Sequence, residues 1–541
     1  RDDKGRVIRQ TLANSSSYTY EYDSLGNLTV QTDCSFNTTF YQYDEHGRLT
    51  QVTDPLGQIT RYEYDTAEYR TAYPVRITYP DNTREQSSYD RQGRLLSYSD
   101  AKGQTTHYQY EIDDLPSQRT DALGHTLSYA YDNQRRLICL TNENGEHWTF
   151  NYDKGDNLIS ETRFDGTTAH YDYSKAGLLK HQLDTGIHHY YRYDLAGQLT
   201  DKYSLTDRRF LDKAYLPTNK SNPFHHSEAD YQRYQQPTLG KNTPHRLRYQ
   251  YDIAGQLIRA ISPDATTTLG YDPVGQLINE TLQRHHSFAQ LPHGVDSDDD
   301  NSTLSQILTH NYDELGNRIK TTLPDGKCLN QLYYGSGHLY NQSLTDEQGN
   351  IFEIRHSTTN KLHQEVTRQQ GELLSSFGYD PMGRLVKQYS SNDKHIVIER
   401  SYTYDKVGQL TNIASKTRLT QAVANRPNQV IVNHYQRNHQ YQYDKIGRLT
   451  EHKLTDFNHH QGVKERFAFD PASNRVPLSY VQNNEQTSNT NAVNGQGIDG
   501  RTKRPTRLIS QGKKIGYVYD KHGRVIQKTM VPVDKDGNEL A

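Results

Sequence analysis

The stretch YEYDSLGNL, Tyr20–Leu28, is answered 21 residues later by YQYDEHGRL, Tyr41–Leu49. In an extended chain Tyr20 and Tyr22 alternate with a polar residue, so both project from one face of a strand. Asp23 then stands where a tight turn favours a side chain that accepts backbone N–H groups, and Gly26 falls where the chain needs positive φ. The pattern predicts a hairpin whose turn closes in a glycine bulge. The next segment, NLTVQTD, brings aliphatic side chains back toward the tyrosines.

The pattern is periodic. Tyr22, Tyr43 and Tyr64 are 21 residues apart; after a longer step to Tyr89 the spacing resumes through Tyr110, Tyr131, Tyr152 and Tyr173, and a step of 20 reaches Tyr193. Further copies lie at Tyr249–Leu257, Gly270–Leu277, Asn311–Ile319, Gly378–Leu385, Tyr402–Leu410, Tyr441–Leu449 and Tyr517–Val525. The clearest turn positions are Tyr22, Asp23 and Gly26; Tyr43, Asp44 and Gly47; Tyr193, Asp194 and Gly197; Tyr251, Asp252 and Gly255; Tyr404, Asp405 and Gly408; Tyr443, Asp444 and Gly447; and Tyr519, Asp520 and Gly523. A second turn signal closes each unit, as in TDPLGQIT (Thr53–Thr60), SDAKGQTT (Ser99–Thr106), TDALGHTL (Thr120–Leu127) and TNENGEHW (Thr141–Trp148). Each period is therefore two strands and two turns, with no need of a helix. Arg135, Asp156 and Ser473 stand where the glycine is expected, and those copies are expected to use different turns.

One such hairpin is marginal alone, and its tyrosines need a neighbour to cover them. Hairpins placed side by side supply that cover. Because sheets twist with a fixed hand, an array this long must curl, and curling gives it an inside. The expected fold is all-β, a single repeat ribbon over residues 1–541 with loop insertions near 201–248, 283–306 and 480–505.

Composition agrees with a thin wall. Of 541 residues only 32% are hydrophobic, and the mean hydropathy is −0.99, the profile of a chain too polar to fold. Yet there are 43 tyrosines against 12 phenylalanines and one tryptophan, so the apolar surface sits on a residue whose hydroxyl must stay satisfied. A formal charge of −3 lacks the basic excess expected of a nucleic-acid binder or of a protein drawn to an anionic membrane. Cys34, Cys139 and Cys328 are odd in number and far apart, which is not a disulfide framework; each is expected to be a fully buried structural residue.

YEYDSLGNLTVQTD, YQYDEHGRLTQVTDPLGQITRYEYD and YQYDKIGRLTEH resemble the YD repeat of the RHS-repeat proteins, which include bacterial polymorphic toxins, the B and C components of Tc insecticidal toxins, and the teneurins. The resemblance implies a continuous sheet spiralling into a hollow, β-solenoid-like shell around a sequestered C-terminal segment. It implies a non-catalytic carrier without cofactors, whose partners are a C-terminal toxin segment or the remainder of the shell, and a secretion or translocation apparatus. It would be made in a bacterial cytoplasm and then secreted or delivered. The alternative within the same family is a cell-surface binding protein that recognises glycans or proteins. Many bacterial relatives end the shell with an aspartate-proline segment that cuts the chain. DPVG (Asp272–Gly275) and DPMG (Asp380–Gly383) lie inside repeats and read instead as turns in which proline sets φ.

Other chemistry finds little support. The histidine pairs His188–His189, His225–His226, His285–His286 and His459–His460 point to opposite faces of a strand, a poor arrangement for one metal ion. DSDDDNS (Asp296–Ser302) lacks the glycine and distal glutamate of an EF-hand loop. No catalytic, cofactor-binding or metal-binding residue is therefore assigned.

Overall fold

The computed structural model describes residues 1–65, 72–111, 114–184, 186–206, 245–284, 305–335, 337–392, 395–423, 426–458, 461–476, 478, 496–498, 505–510, 513–519 and 525–532. The elements among the described residues are β-strands. Successive strands pair antiparallel, as Ser17–Tyr22 does with Leu28–Thr32, that strand with Thr38–Tyr43, and Thr38–Tyr43 with Leu49–Thr53. An antiparallel sheet of 36 strands runs from Arg9–Thr11 to Gln461–Arg466. A two-stranded piece, Ala468–Phe469 with Arg475–Val476, follows. The strands Gln496–Ile498, Pro505–Ser510, Lys513–Tyr519 and Val525–Pro532 make a separate four-stranded sheet.

The turn chemistry explains why the strands break where they do. Asp23 Oδ1 accepts the Asn27 N–H at 2.8 Å, and its Oδ2 accepts the Asn27 side-chain amide at 2.9 Å. The Gly26 N–H donates to the Asp23 carbonyl at 3.2 Å, with Gly26 at φ +97°. The register of the pair slips between Glu21 and Tyr22, a bulge that recurs at Gln42/Tyr43, Thr403/Tyr404 and Gln442/Tyr443.

The copies without glycine form the same turn, which corrects the expectation of a different one. Arg135, Asp156 and Ser473 take φ of +67°, +64° and +66°, and each N–H donates to the carbonyl three residues back. In the Asp153 copy the positive φ stays at Asp156 and does not move to the neighbouring Gly155. The hydrogen bonds made by the leading aspartate outweigh the cost of about 1–2 kcal/mol for a side chain in this region.

The sheet is clothed on one side. In SYTYEY the tyrosines are half-buried, while Thr19 and Glu21 are exposed. Among the described residues the buried apolar side chains are Ala169, Leu183, Ile187, Tyr203 and Ala468. They are outnumbered by buried polar ones, such as Asp121, Asn142, Ser375 and Ser390. For the same reason Cys34, Cys139 and Cys328 are half-buried and not fully buried residues, since a single layer has no thick interior to hide them.

The chain divides into two compact units. The first comprises residues 1–146, 313–319 and 330–541, and the second residues 147–312 and 320–329. The second holds the drier centre. There Ala169 is fully enclosed, Trp148 meets Phe164 edge-on at 5.3 Å and donates to Glu161 at 3.2 Å, and His181 and His188 stack beside Tyr190. Of the three expected insertions, 207–244, 285–304, 480–495 and 499–504 lie outside the described residues.

Candidate functional site

Where a repeat carries arginine after its turn glycine, that arginine and the next tyrosine fasten it to the following repeat. Arg48 Nε donates to Asp44 Oδ2 at 2.7 Å within one turn, while its guanidinium lies 4.5 Å from the ring of Tyr64 in the following repeat. The Tyr64 hydroxyl donates back to the Leu49 carbonyl at 2.8 Å. The same bond recurs from Tyr22 to Val7, Tyr251 to Leu199, Tyr404 to Leu385 and Tyr443 to Leu410. Burial pushes the Tyr43, Tyr64 and Tyr193 hydroxyls above their ordinary pKa, with Arg48 opposing the shift at Tyr64. Burial would also raise Asp44, but hydrogen bonds from the Arg48 backbone and side chain and from the His46 N–H outweigh it and hold the carboxyl below its ordinary value.

The singled-out turn residues are placed as follows. Gly26, Gly47, Gly197, Gly255, Gly408 and Gly447 have φ between +75° and +97°. Asp44, Asp194, Asp252, Asp405 and Asp444 each accept two backbone N–H groups of their own turn through Oδ1. Tyr519 ends the strand Lys513–Tyr519, whereas Asp520 and Gly523 lie outside the described residues. Asp272 and Asp380 sit at the heads of the same turns, with Gly275 at φ +88° and Gly383 at +76°.

What local spacing leaves invisible is where the ribbon meets itself. Inside the first unit, turns of residues 1–146 touch turns of residues 330–475 at five places, in the same order along both stretches. Ser16 Oγ donates to the Gly335 carbonyl at 3.2 Å. His363 Nε2 lies 2.7 Å from Asp33 Oδ2. Arg384 Nη2 reaches Asp81 Oδ2 at 3.2 Å. Lys102 Nζ stands 2.5 Å from Asp405 Oδ2 and 3.2 Å from Gln409 Oε1. Asn144 Nδ2 donates to Asp470 Oδ2 at 2.9 Å. The hydrogen-bonded partners are 303 to 330 residues apart in sequence. Four of the five pairs set the second turn of an early repeat against a turn headed by aspartate or asparagine in a late one. This seam is the candidate functional site.

Its residues serve two masters. Arg384 clasps Asp380 at 2.7 Å, covers the Tyr404 ring at 5.2 Å and still bridges to Asp81. His363 occupies the glycine position of the turn Asn360–Gln364 at φ +61°; its Nδ1 lies 2.9 Å from the Tyr334 hydroxyl, and His338 stacks on it at 4.0 Å. Burial would raise Asp33, but hydrogen bonds from Asn37, His363 and Ser35 leave its carboxyl below the ordinary value. Burial and then the neighbouring His363 lower His338, against the opposing pull of Asp33. Among the seam residues, Asp405 is the one singled out as a clear turn position, while Lys102, Asn144, Arg384 and Gln409 lie within the quoted repeat segments. The turn TNKLHQ that carries His363 was legible only as an asparagine-headed variant without its glycine.

Of the histidine pairs, His188 is buried with Nδ1 2.9 Å from His181 Nε2, while His189 Nδ1 lies 2.8 Å from Ser204 Oγ. His225, His226, His285, His286, His459, His460 and Asp296–Ser302 lie outside the described residues. Among the described residues no group of three or more histidine, cysteine or carboxylate side chains is placed to hold a metal ion, and no helix is long and apolar enough to cross a membrane.

Residues 1–120 match the family model described as Teneurin YD-shell. Over an alignment of 261 positions that covers 44% of the chain, it is 29% identical to Double-stranded DNA deaminase toxin A of Burkholderia cenocepacia (strain H111), spanning 15% of that protein. Among solved structures, the chain resembles TcdB2-TccC3-TEV with a TM-score of 0.56 at 15% identity, over 97% of this chain and 27% of that one. It also resembles TcdB2-TccC3 without its hypervariable C-terminal region, with a TM-score of 0.52 at 14% identity, over 95% and 27%. The Photorhabdus luminescens Tc holotoxin pore gives a TM-score of 0.51 at 14% identity, over 96% and 30%. At these identities the likeness is one of fold, and the chain spans less than a third of each of these relatives.

Proposed function

From the premise that the chain is an RHS/YD-repeat protein of the shell type, we propose that it is a non-catalytic stretch of wall that encloses and carries a toxic polypeptide for delivery. The supporting observation is the seam: turns some 300 residues apart in sequence hold one another within the first unit, as a wall that closes on itself requires. A chain held behind such a wall is kept from harming the cell that makes it until the wall opens. The partial likeness to a deaminase toxin supports a toxin as the cargo, with chemistry residing in the cargo and not in the wall. On this reading the protein is made in a bacterial cytoplasm and exported or injected with its load.

The test is electron microscopy together with protease protection, on the chain expressed with the polypeptide encoded beyond it. Stain-filled closed particles and a downstream segment resistant to protease until the wall is denatured are the expected result. Flat or solid particles, or a downstream segment digested as fast in the assembly as alone, would overturn the proposal.

A further inference from the structure

Three adjacent strands of the first unit, Ile396–Tyr404, Leu410–Val423 and Arg426–Tyr443, are longer than the usual five or six residues of this ribbon. Their register sets Arg400 opposite Ser415, and Ser415 opposite Arg437. One face thus carries a short hydroxyl side chain between two long guanidinium side chains. The next rows set Tyr402 opposite Ile413 on one side and Thr417 opposite Tyr435 on the other. Small residues on the middle strand and large ones on its neighbours leave a depression of about 590 Å³ over Ser415 and Thr417, within the size range of small-ligand sites.

The charges around the depression are not balanced. Arg437 is engaged through Nε by Asp456 Oδ2 at 3.1 Å, and Tyr435 lies 5.2 Å from its guanidinium. Arg400 is half-buried, its Nε donates to Ser415 Oγ at 3.4 Å, and no carboxylate pairs with it among the described residues. Among the described residues one of the two guanidinium groups, Arg437, is thus paired with a carboxylate, and the other, Arg400, is not. The positive field is felt nearby: burial lowers His439, and the charges of His452, Arg437 and Arg400 lower it further. Guanidinium donors match the paired oxygens of carboxylates and phosphates, and hydroxyls supply further donors to the same oxygens.

The geometry points to an oxyanion-binding site in which Arg400 and Arg437 grip a carboxylate or phosphate group over Ser415, with Tyr402 and Tyr435 flanking the body of the ligand. The site owes nothing to the seam, and it stands whether or not the wall encloses a cargo.

Calorimetric titration of the whole chain with sodium phosphate and, separately, with sodium glucuronate tests it. Saturable binding of at least one probe is expected, weakening as salt is raised. Phosphate alone identifies a tetrahedral anion; glucuronate alone identifies a carboxylate borne on a ring. Arg400→Gln should weaken the bound probe roughly tenfold or more, the effect of losing charged hydrogen bonds. Ser415→Leu should abolish binding by filling the depression, while Lys416→Gln, which alternates to the other face of the strand, should leave it unchanged. No saturable binding of either probe would overturn the assignment, and so would binding that survives both Arg400→Gln and Ser415→Leu. Should Arg400→Gln fail to fold, Ser415→Leu against Lys416→Gln decides alone.

Discussion

Replacing Lys102 with glutamate puts the seam to a direct test. Lys102 Nζ stands 2.5 Å from Asp405 Oδ2, with the two side chains 25% and 13% exposed, so the pair is screened only in part. A pair of this kind contributes roughly 0.2–1 kcal/mol. Glutamate removes that attraction and brings two carboxylates to about 4 Å, where repulsion is roughly 1–4 kcal/mol for an effective dielectric between bulk water and about 20. Side-chain rotation and physiological salt relieve much of it. Opening of the two turns should become easier by about 1–2 kcal/mol, a factor of roughly 5–30. A chain of this length need not unfold in one step, so the readout is local. Amide hydrogen exchange of the turns Asp100–Gln104 and Asp405–Gln409 should accelerate by that factor, whereas the turn Asp194–Gln198 of the second unit should keep its rate. Lys102→Gln should show the smaller part of the effect, and 0.5 M salt should shrink both. Unchanged exchange at both seam turns, or equal acceleration at Asp194–Gln198, would refute the idea that these distant turns hold one another.

Two further outcomes follow from the turns and from the titrating groups. Gly447 sits at φ +90°, and an added Cβ would come within 2.8 Å of Gln409 Nε2, whereas Gly57 at φ +80° has nothing within 4 Å. Gly57→Ala should cost about 1 kcal/mol from its positive φ alone and Gly447→Val about 2 kcal/mol or more, the β-branch adding to the same strain while the Gln409 amide swings aside, measured as local exchange; equal costs would show that the branch adds nothing. Burial lowers His170, His338 and His439, so each stays neutral in the folded chain while the unfolded chain takes up protons first. Stability should be fully present above about pH 6.5 and decline as the pH falls through the lowered folded values. Asp33, also lowered, adds a second loss below about pH 4. A melting temperature that is flat or rising from pH 6.5 down to pH 4 would contradict the histidine part.

The hairpins were legible because their causes are local. Tyr20 and Tyr22 alternate, Asp23 can accept the N–H groups two and four residues ahead, and Gly26 can take positive φ; all of this lies within nine residues. The error over Arg135, Asp156 and Ser473 came from giving glycine more weight than the aspartate that heads the turn, whose hydrogen bonds hold the backbone whatever follows. The error over the three cysteines came from expecting an interior of ordinary thickness. The seam could not be read at all. Which turn faces which depends on how many hairpins the ribbon runs through before it returns, and no short window of sequence between Asp33 and His363 holds that sum. The depression at Ser415 was hidden in the same way, since it rests on the pairing of Arg400 and Arg437 with a strand between them.

The seam also restricts how such a chain can evolve. Loops that leave the ribbon can lengthen freely, because they do not change which turn comes round to meet Lys102 or Asn144. Adding or deleting a single hairpin within the circuit slides every later partner past its mate, so that all downstream couplings are lost together. Lineages should therefore gain or lose whole circuits, or vary their loops, far more readily than they change the number of repeats in one lap.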